Sequence, residues 1–126
     1  MVTWILWALI LAMLAWMGFN YLRIRRAAKI VDNKEFEALI RTGQLIDLRD
    51  PAEFHRKHIL GARNIPSSQL KTSLAALRKD KPVLLYENQR AQRVTNAALY
   101  LKKQGFSEIY ILSYGLDSWK GKVKTS

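Results

Sequence analysis

The chain contains no cysteine. That excludes disulfides, thiolate metal sites and any thiol nucleophile of its own. Histidine is scarce: His55 and His58 are the only two. Three residues apart, they would share one face of a helix. A metal site needs further ligands, and FHRKHI surrounds these two with cations, so neither a metal nor any other cofactor is expected. Acid is also short, with 10 Asp and Glu against 21 Lys and Arg, a net charge of +11. Nucleic acid is still a poor partner for this charge, because no reader motif is visible and the cations are scattered rather than striped. Residues 2 to 22, VTWILWALILAMLAWMGFNYL, have no charge of either sign.

That uncharged run is too long for a soluble core. At about 1.5 Å per residue it spans roughly 31 Å as a helix, close to the hydrocarbon thickness of a bilayer. Trp4 and Trp7 lie toward one end, and Trp16 and Tyr21 toward the other, as interfacial aromatics do. RIRRAAK follows, with four cations and no acid. A cleaved signal peptide carries its charge before a shorter apolar stretch; here the charge comes after a longer one. The expectation is an uncleaved, single-pass anchor in a bacterial inner or plasma membrane. The positive-inside rule puts its N-terminus outside and the remainder in the cytoplasm. Ala8 and Ala12 give one small-xxx-small spacing, which by itself does not mark a dimer face. The expected organisation is a transmembrane helix at 2–22, a basic linker at 23–29, one domain at 30–122 and a tail at 123–126. Residues 30–126 hold 17 Lys and Arg against 10 Asp and Glu, hence +7.

Periodicity and turn residues predict the elements of the domain. VDNKEFEALIRTG reads as a helix with Asp32 or Asn33 as cap, Phe36, Leu39 and Ile40 on one face, and Gly43 at its end. QLIDL reads as a strand. RDPAEF reads as a turn opening a short helix, with Asp50 as cap and Pro51 at its first position. HILGARNIP is expected to be extended. SSQLKTSLAALRKD reads as an amphipathic helix with Leu70, Leu74 and Leu77 on one stripe. KPVLLY is a buried strand, VTNAALYLKKQG a helix ending at Gly105, SEIYIL a strand and GLDSWKG a last helical turn. KGKVKTS is expected to fray. Alternating strands and helices imply a parallel sheet covered by helices, with ligands at the carboxyl ends of its strands. YENQRAQR, residues 86–93, lies at such an end, just before a helix.

Several of these stretches carry a resemblance. LIDLRDPAEFHRKHILGARNIP resembles the first signature of the rhodanese family, through Asp47, Arg49, Glu53, Phe54, His58, Ile59, Gly61, Ala62, Ile65 and Pro66. Lys57 stands where that family usually has Gly. KPVLLY resembles the strand leading into the family's active loop. LKKQGFSEIYILSYGLDSW resembles its closing helix, strand and Gly-x-x-x-Trp turn, with Tyr114 in place of a common Gly. The resemblance spans residues 30 to 122 and implies an α/β fold, a three-layer rhodanese-like domain with a central parallel sheet.

The resemblance also implies a site. Active sulfurtransferases of the family resemble one another at a Cys-x-x-Gly-x-Arg loop, where a thiolate takes up sulfur as a persulfide. Backbone N–H groups and a helix dipole stabilise that anion. Counting back from Gly105 places Asn88 at the cysteine position, Ala91 at the Gly and Arg93 at the Arg. Counting forward from Pro82 places Glu87 at the cysteine position instead. Asn88 is preferred because it recovers the arginine. Either way the nucleophile is missing: asparagine is not one, and glutamate cannot form a persulfide.

The candidate anion or protein-binding loop is therefore Asn88, Gln89, Arg90, Ala91, Gln92 and Arg93. Arg90, Arg93 and the helix start favour an anion. Glu87 competes as a carboxylate, and Ala91 restricts a backbone that Gly would free. Asp47, Arg49 and His58 are expected to support the loop rather than to react. His58 is expected to hydrogen-bond backbone, and Trp119 to close the core. The expected function is a membrane-tethered, catalytically inactive rhodanese-like domain acting as a cytoplasmic binding or regulatory module. The alternative is a sulfurtransferase that uses a thiol supplied by a partner.

Overall fold

The computed structural model describes residues 2–89 and 92–125, with backbone alone for residues 23–27. Helix α1, Val2–Ala27, contains the uncharged run. Residues Val2–Leu22 have a mean hydropathy of 2.0 and form a helix long and apolar enough to cross a membrane. Its Trp4, Trp7, Trp16 and Phe19 side chains are exposed. α1 continues beyond Leu22 through most of the segment expected as a linker, and Lys29 already belongs to strand β1, Lys29–Val31.

Behind α1 stands a parallel sheet of five strands. They are β1, β2 (Gln44–Asp47), β4 (Arg63–Asn64), β5 (Val83–Tyr86) and β6 (Ile109–Leu112). Their spatial order is β1-β6-β5-β2-β4. All four pairings are parallel, with Leu45 opposite Leu84 and Leu84 opposite Tyr110 at the centre. β5 is buried along its whole length. That is why VLLY shows no polar alternation: a central parallel strand is covered on both faces.

Side chains alternate across the sheet and divide the core in two. One layer joins Ile46, Val83, Leu85, Ile109 and Ile111 to Val94, Ala97, Ala98 and Leu101 of α4 (Gln92–Lys103), with Ala28, Leu70 and Leu77 beside them. The other joins Leu45, Leu84, Tyr86 and Leu112 to Phe36 of α2 (Asn33–Ile40), with Leu116 and Trp119. Phe36 and Trp119 meet edge to face, 5.9 Å between ring centroids, a favoured aromatic geometry. Asp32 caps α2 by accepting the Glu35 N–H at 2.9 Å.

Some elements depart from the sequence reading. SSQLKTSLAALRKD is not one amphipathic helix but two short 3₁₀ turns, Ser67–Gln69 and Leu74–Ala76. One of its hydroxyls bonds locally, Thr72 Oγ1 donating to the Gln69 carbonyl at 2.9 Å. Ser73 breaks helical geometry at φ −99° and ψ 7°. Such residues offer the backbone alternatives to a helix. Leu70 and Leu77 are buried nonetheless. The tail expected to fray is a strand: β7 (Val123–Thr125) pairs antiparallel with β3 (Lys57–Ile59). The Leu60 N–H donates to the Lys122 carbonyl at 3.0 Å at the end of that ribbon. α2 ends at Ile40, before Gly43, whose real constraint is space. A Cβ there would lie 2.1 Å from Leu84 Cδ1.

Candidate functional site

The site forms where β2 and β5 end. The Leu48 N–H donates to the Tyr86 carbonyl at 3.1 Å, which holds the two strand ends together. Asp47 and Arg49 follow on the β2 side and are both buried. Arg49 Nη2 and Nε donate to Asp47 Oδ2 and Oδ1 at 2.9 and 3.1 Å, and the Arg49 N–H donates to Oδ1 at 2.8 Å. Burial on its own would lower the Arg49 pKa. The bonds and charge of Asp47, with Tyr86 and Glu53 adding to them, outweigh it and hold the pKa above its ordinary value. A buried pair of this kind stands because nearly every donor has an acceptor.

Arg49 reaches two further groups. Nη2 donates to the Lys57 carbonyl. Nη1 donates to Asn88 Oδ1 at 3.0 Å, and Asn88 Nδ2 donates to Glu53 Oε2 at 2.9 Å. The Asn88 side chain therefore lies in a polar chain running from β2 through α3 (Pro51–Arg56). An open depression of about 260 Å³ sits there, lined by Arg49, Glu53, Arg56, Lys57, Asn88 and Asp117. Three cations and two carboxylates face one another in it, so the surface suits a polar, mixed-charge partner better than a lone anion.

Glu87 is buried, unlike its neighbour Asn88. Its Oε2 accepts the Val94 N–H at 2.8 Å, so its carboxylate sits against the first turn of α4. A negative group there meets unpaired N–H groups and the positive end of the helix dipole. The backbone on either side is tied to the turn after β6. The Leu116 N–H donates to the Glu87 carbonyl at 2.8 Å and the Asp117 N–H to the Asn88 carbonyl at 3.0 Å. Gly115 makes that contact possible. Its φ is +70°, and a Cβ would come within 2.5 Å of the Asn88 carbonyl oxygen.

The remaining candidates scatter. Gln89 Nε2 donates to Asp117 Oδ2 at 3.4 Å. Gln92 opens α4 and bonds Asn96 within it at 2.8 Å. Arg93 is exposed and lines a separate depression between α4 and the 3₁₀ turn Ser67–Gln69. Arg90 and Ala91 lie outside the described residues. His58 Nδ1 is 2.8 Å from the Phe54 carbonyl, and its ring stacks on Phe54 at 3.8 Å. Among the described residues no cluster of three or more His, Asp and Glu is placed to hold a metal. Sequence reasoning left Glu53 and Asp117 off the site. Glu53 had a signal, as the first member of the Glu-Phe pair; Asp117 had none, because only the fold brings it beside residue 89.

Tyr86 joins the two halves of the site from beneath. Its Oη accepts the Ile59 N–H at 3.1 Å, which fixes β3 over the strand end. Burial, and then the charge of Asp47, push its phenol pKa far above the ordinary tyrosine value.

Comparison with known proteins extends this geometry. Residues 32–122 match the family model "Rhodanese-like domain". The chain is 47% identical over 113 residues to "Uncharacterized protein YqhL" of Bacillus subtilis, covering 90% of this chain and 89% of that one. It is 37% identical over 78 residues to "Thiosulfate sulfurtransferase GlpE" of Stutzerimonas stutzeri, covering 60% and 69%. A rhodanese-related protein from Thermoplasma volcanium superposes with a TM-score of 0.70 at 23% identity, over 78% of this chain and 99% of that one. That last likeness is one of fold. A family match over four of the five strands of the parallel sheet and both halves of the site, in a sequence without cysteine, makes the chain a member of the rhodanese-like domain family that lacks the family's nucleophile.

Proposed function

We propose that this protein is a membrane-tethered, non-catalytic rhodanese-like domain that binds a protein partner through the depression around Asn88. The observation that carries this is the buried Glu87 carboxylate on the Val94 N–H. It supports a reading in which Glu87, rather than Asn88, holds the seat that a persulfide anion takes in active relatives. The helix start is then already neutralised by the chain's own carboxylate, and nothing in the seat can carry sulfur. α1 supports the tether. An exposed apolar helix of this length fits an apolar surrounding, and the cations at 23, 25, 26 and 29 support a domain on the cytoplasmic side under the positive-inside rule.

Thiosulfate-to-cyanide sulfur transfer by the detergent-solubilised full chain tests the non-catalytic reading. No turnover above buffer is expected, with or without an added small thiol. Turnover only with the thiol would support the reading in which a partner supplies the nucleophile, as would transfer by relatives named thiosulfate sulfurtransferases being recovered here. Binding is tested by cross-linking in native membranes from a photoreactive residue at position 57. A specific adduct that Asn88→Asp and Arg56→Glu abolish is expected. The lack of a specific adduct from position 57 would place the partner on another surface.

A further inference from the structure

We propose that the α4 face of the domain docks on the anionic phospholipid headgroups of the membrane that holds α1. The proposal rests on the membrane tether put forward above and adds an orientation and a lipid class to it.

The two faces of the sheet differ in charge, the α4 side being the one-signed one. The α4 side is built from α4 and from residues 67–79, both packed on the same core layer. Neither residues 67–79 nor 92–105 contain any Asp or Glu, whereas Lys71, Arg78, Lys79, Arg93, Lys102 and Lys103 all lie there. The nearest acids, Asp80 and Glu108, sit just before β5 and β6, and Asp80 is held by Arg78 at 2.5 Å. The opposite side is mixed, with exposed Asp32, Glu35 and Glu37 alongside Lys34 and Arg41 on and beside α2. Scattered cations thus gather on one face, where, among the described residues, Arg78 alone is paired with an acid.

That face is also the one from which the anchor leaves. α1 packs against α4 and runs directly into Ala28, which is buried in the α4-side core. The leaflet surface around the end of α1 therefore lies nearest to α4. In sequence, Arg23, Arg25, Arg26 and Lys29 follow the uncharged run. Basic residues held within a Debye length of an anionic leaflet are attracted to it, and the tether supplies the high local concentration.

The same face contains a receptacle. A depression of about 320 Å³ is lined by Ser67, Ser68, Lys71, Arg93, Asn96 and Tyr100. Lys71 Nζ stands 5.7 Å from the centre of the Tyr100 ring. Two cations, three hydroxyls and the amides of Gln92 and Asn96 over an apolar floor of Leu70 and Ala97 match a phosphodiester with its glycerol. Tyrosine at such a rim has the amphipathic character found at membrane interfaces. Docking in this way would turn the Asn88 depression, at the other end of the strands from the α1 junction, toward the cytoplasm.

The absence of cysteine allows a direct test. Single-cysteine forms of the full chain, Asn96→Cys on α4 and Glu37→Cys on α2, are labelled with an environment-sensitive fluorophore. They are reconstituted into vesicles of phosphatidylcholine alone, or with about one-third phosphatidylglycerol. The label at 96 is expected to shift to the blue and lose several-fold in quenching by acrylamide only in the anionic vesicles. The change should vanish in about 0.5 M salt and in the Lys71→Glu/Arg93→Glu variant, while the label at 37 stays accessible throughout. Equal exposure at 96 in both vesicles, or shielding at 37 instead, would overturn the proposal. Flotation with phosphatidylcholine vesicles reads the tether separately. A chain that floats without shielding loses the docking only, and one that does not float loses the tether.

Discussion

Glu87 and Asn88 are adjacent, yet they do opposite things: one carboxylate is buried on a helix start, and one amide is spread between Arg49 and Glu53. Replacing Glu87 by Ala removes the acceptor of the buried Val94 N–H, and about 1–3 kcal/mol of stability should go with it. Urea unfolding of the full chain in detergent measures this; an unchanged midpoint would mean the bond carries nothing. Asp47→Asn leaves the Arg49 guanidinium buried with its charge uncompensated, so a larger loss of about 3–5 kcal/mol is expected in the same experiment. Gly115→Ala should cost more than about 1 kcal/mol, because the backbone is left-handed there and the Asn88 carbonyl blocks a Cβ. Asp47, Arg49 and His58 were legible in the sequence because they sit within one contiguous signature. The choice between Glu87 and Asn88 was not. Counting from the two sides gives positions one residue apart, and the difference between these two neighbouring polar residues, one buried and one exposed, appears only in the fold.

At the scale of elements, the apolar runs were the readable part. VLLY and IYIL became central strands, and NAALYLKK became the heart of α4, because each buries a face that its own periodicity declares. The stretch 67–79 shows the limit of that signal. Leu70, Leu74 and Leu77 do face the core, but the backbone closes into 3₁₀ turns, with the Thr72 hydroxyl bonded back to the Gln69 carbonyl between them. β7 had no signal at all: VKT is three residues long, and its partner lies far earlier in the chain. Its pairing gives the tail a role at the site, since β3 carries the Lys57 carbonyl that Arg49 binds. Removing residues 122–126 should therefore speed amide hydrogen exchange at Leu60 and loosen β3. Exchange unchanged at Leu60 would show that the ribbon is not needed to hold it.

At the scale of the molecule, one titration reaches the whole fold. The Tyr86 phenol has its pKa raised in the folded state, so its contribution is complete below the unfolded value of about 10. Above that pH the unfolded chain releases a proton that the folded chain retains, and stability falls as pH rises. Denaturation midpoints of the wild type should drop between pH 9 and pH 11 by more than those of Tyr86→Phe, whose slope lacks this group. The most direct test of the central claim, that Glu87 fills the nucleophile's seat, is the mass of two variants after incubation with thiosulfate. In Glu87→Cys a thiolate in the seat would attack the outer sulfur, release sulfite and keep one sulfur atom as a persulfide. Expected is a gain of one sulfur in Glu87→Cys and none in Asn88→Cys or the wild type. A gain in Asn88→Cys alone would contradict it.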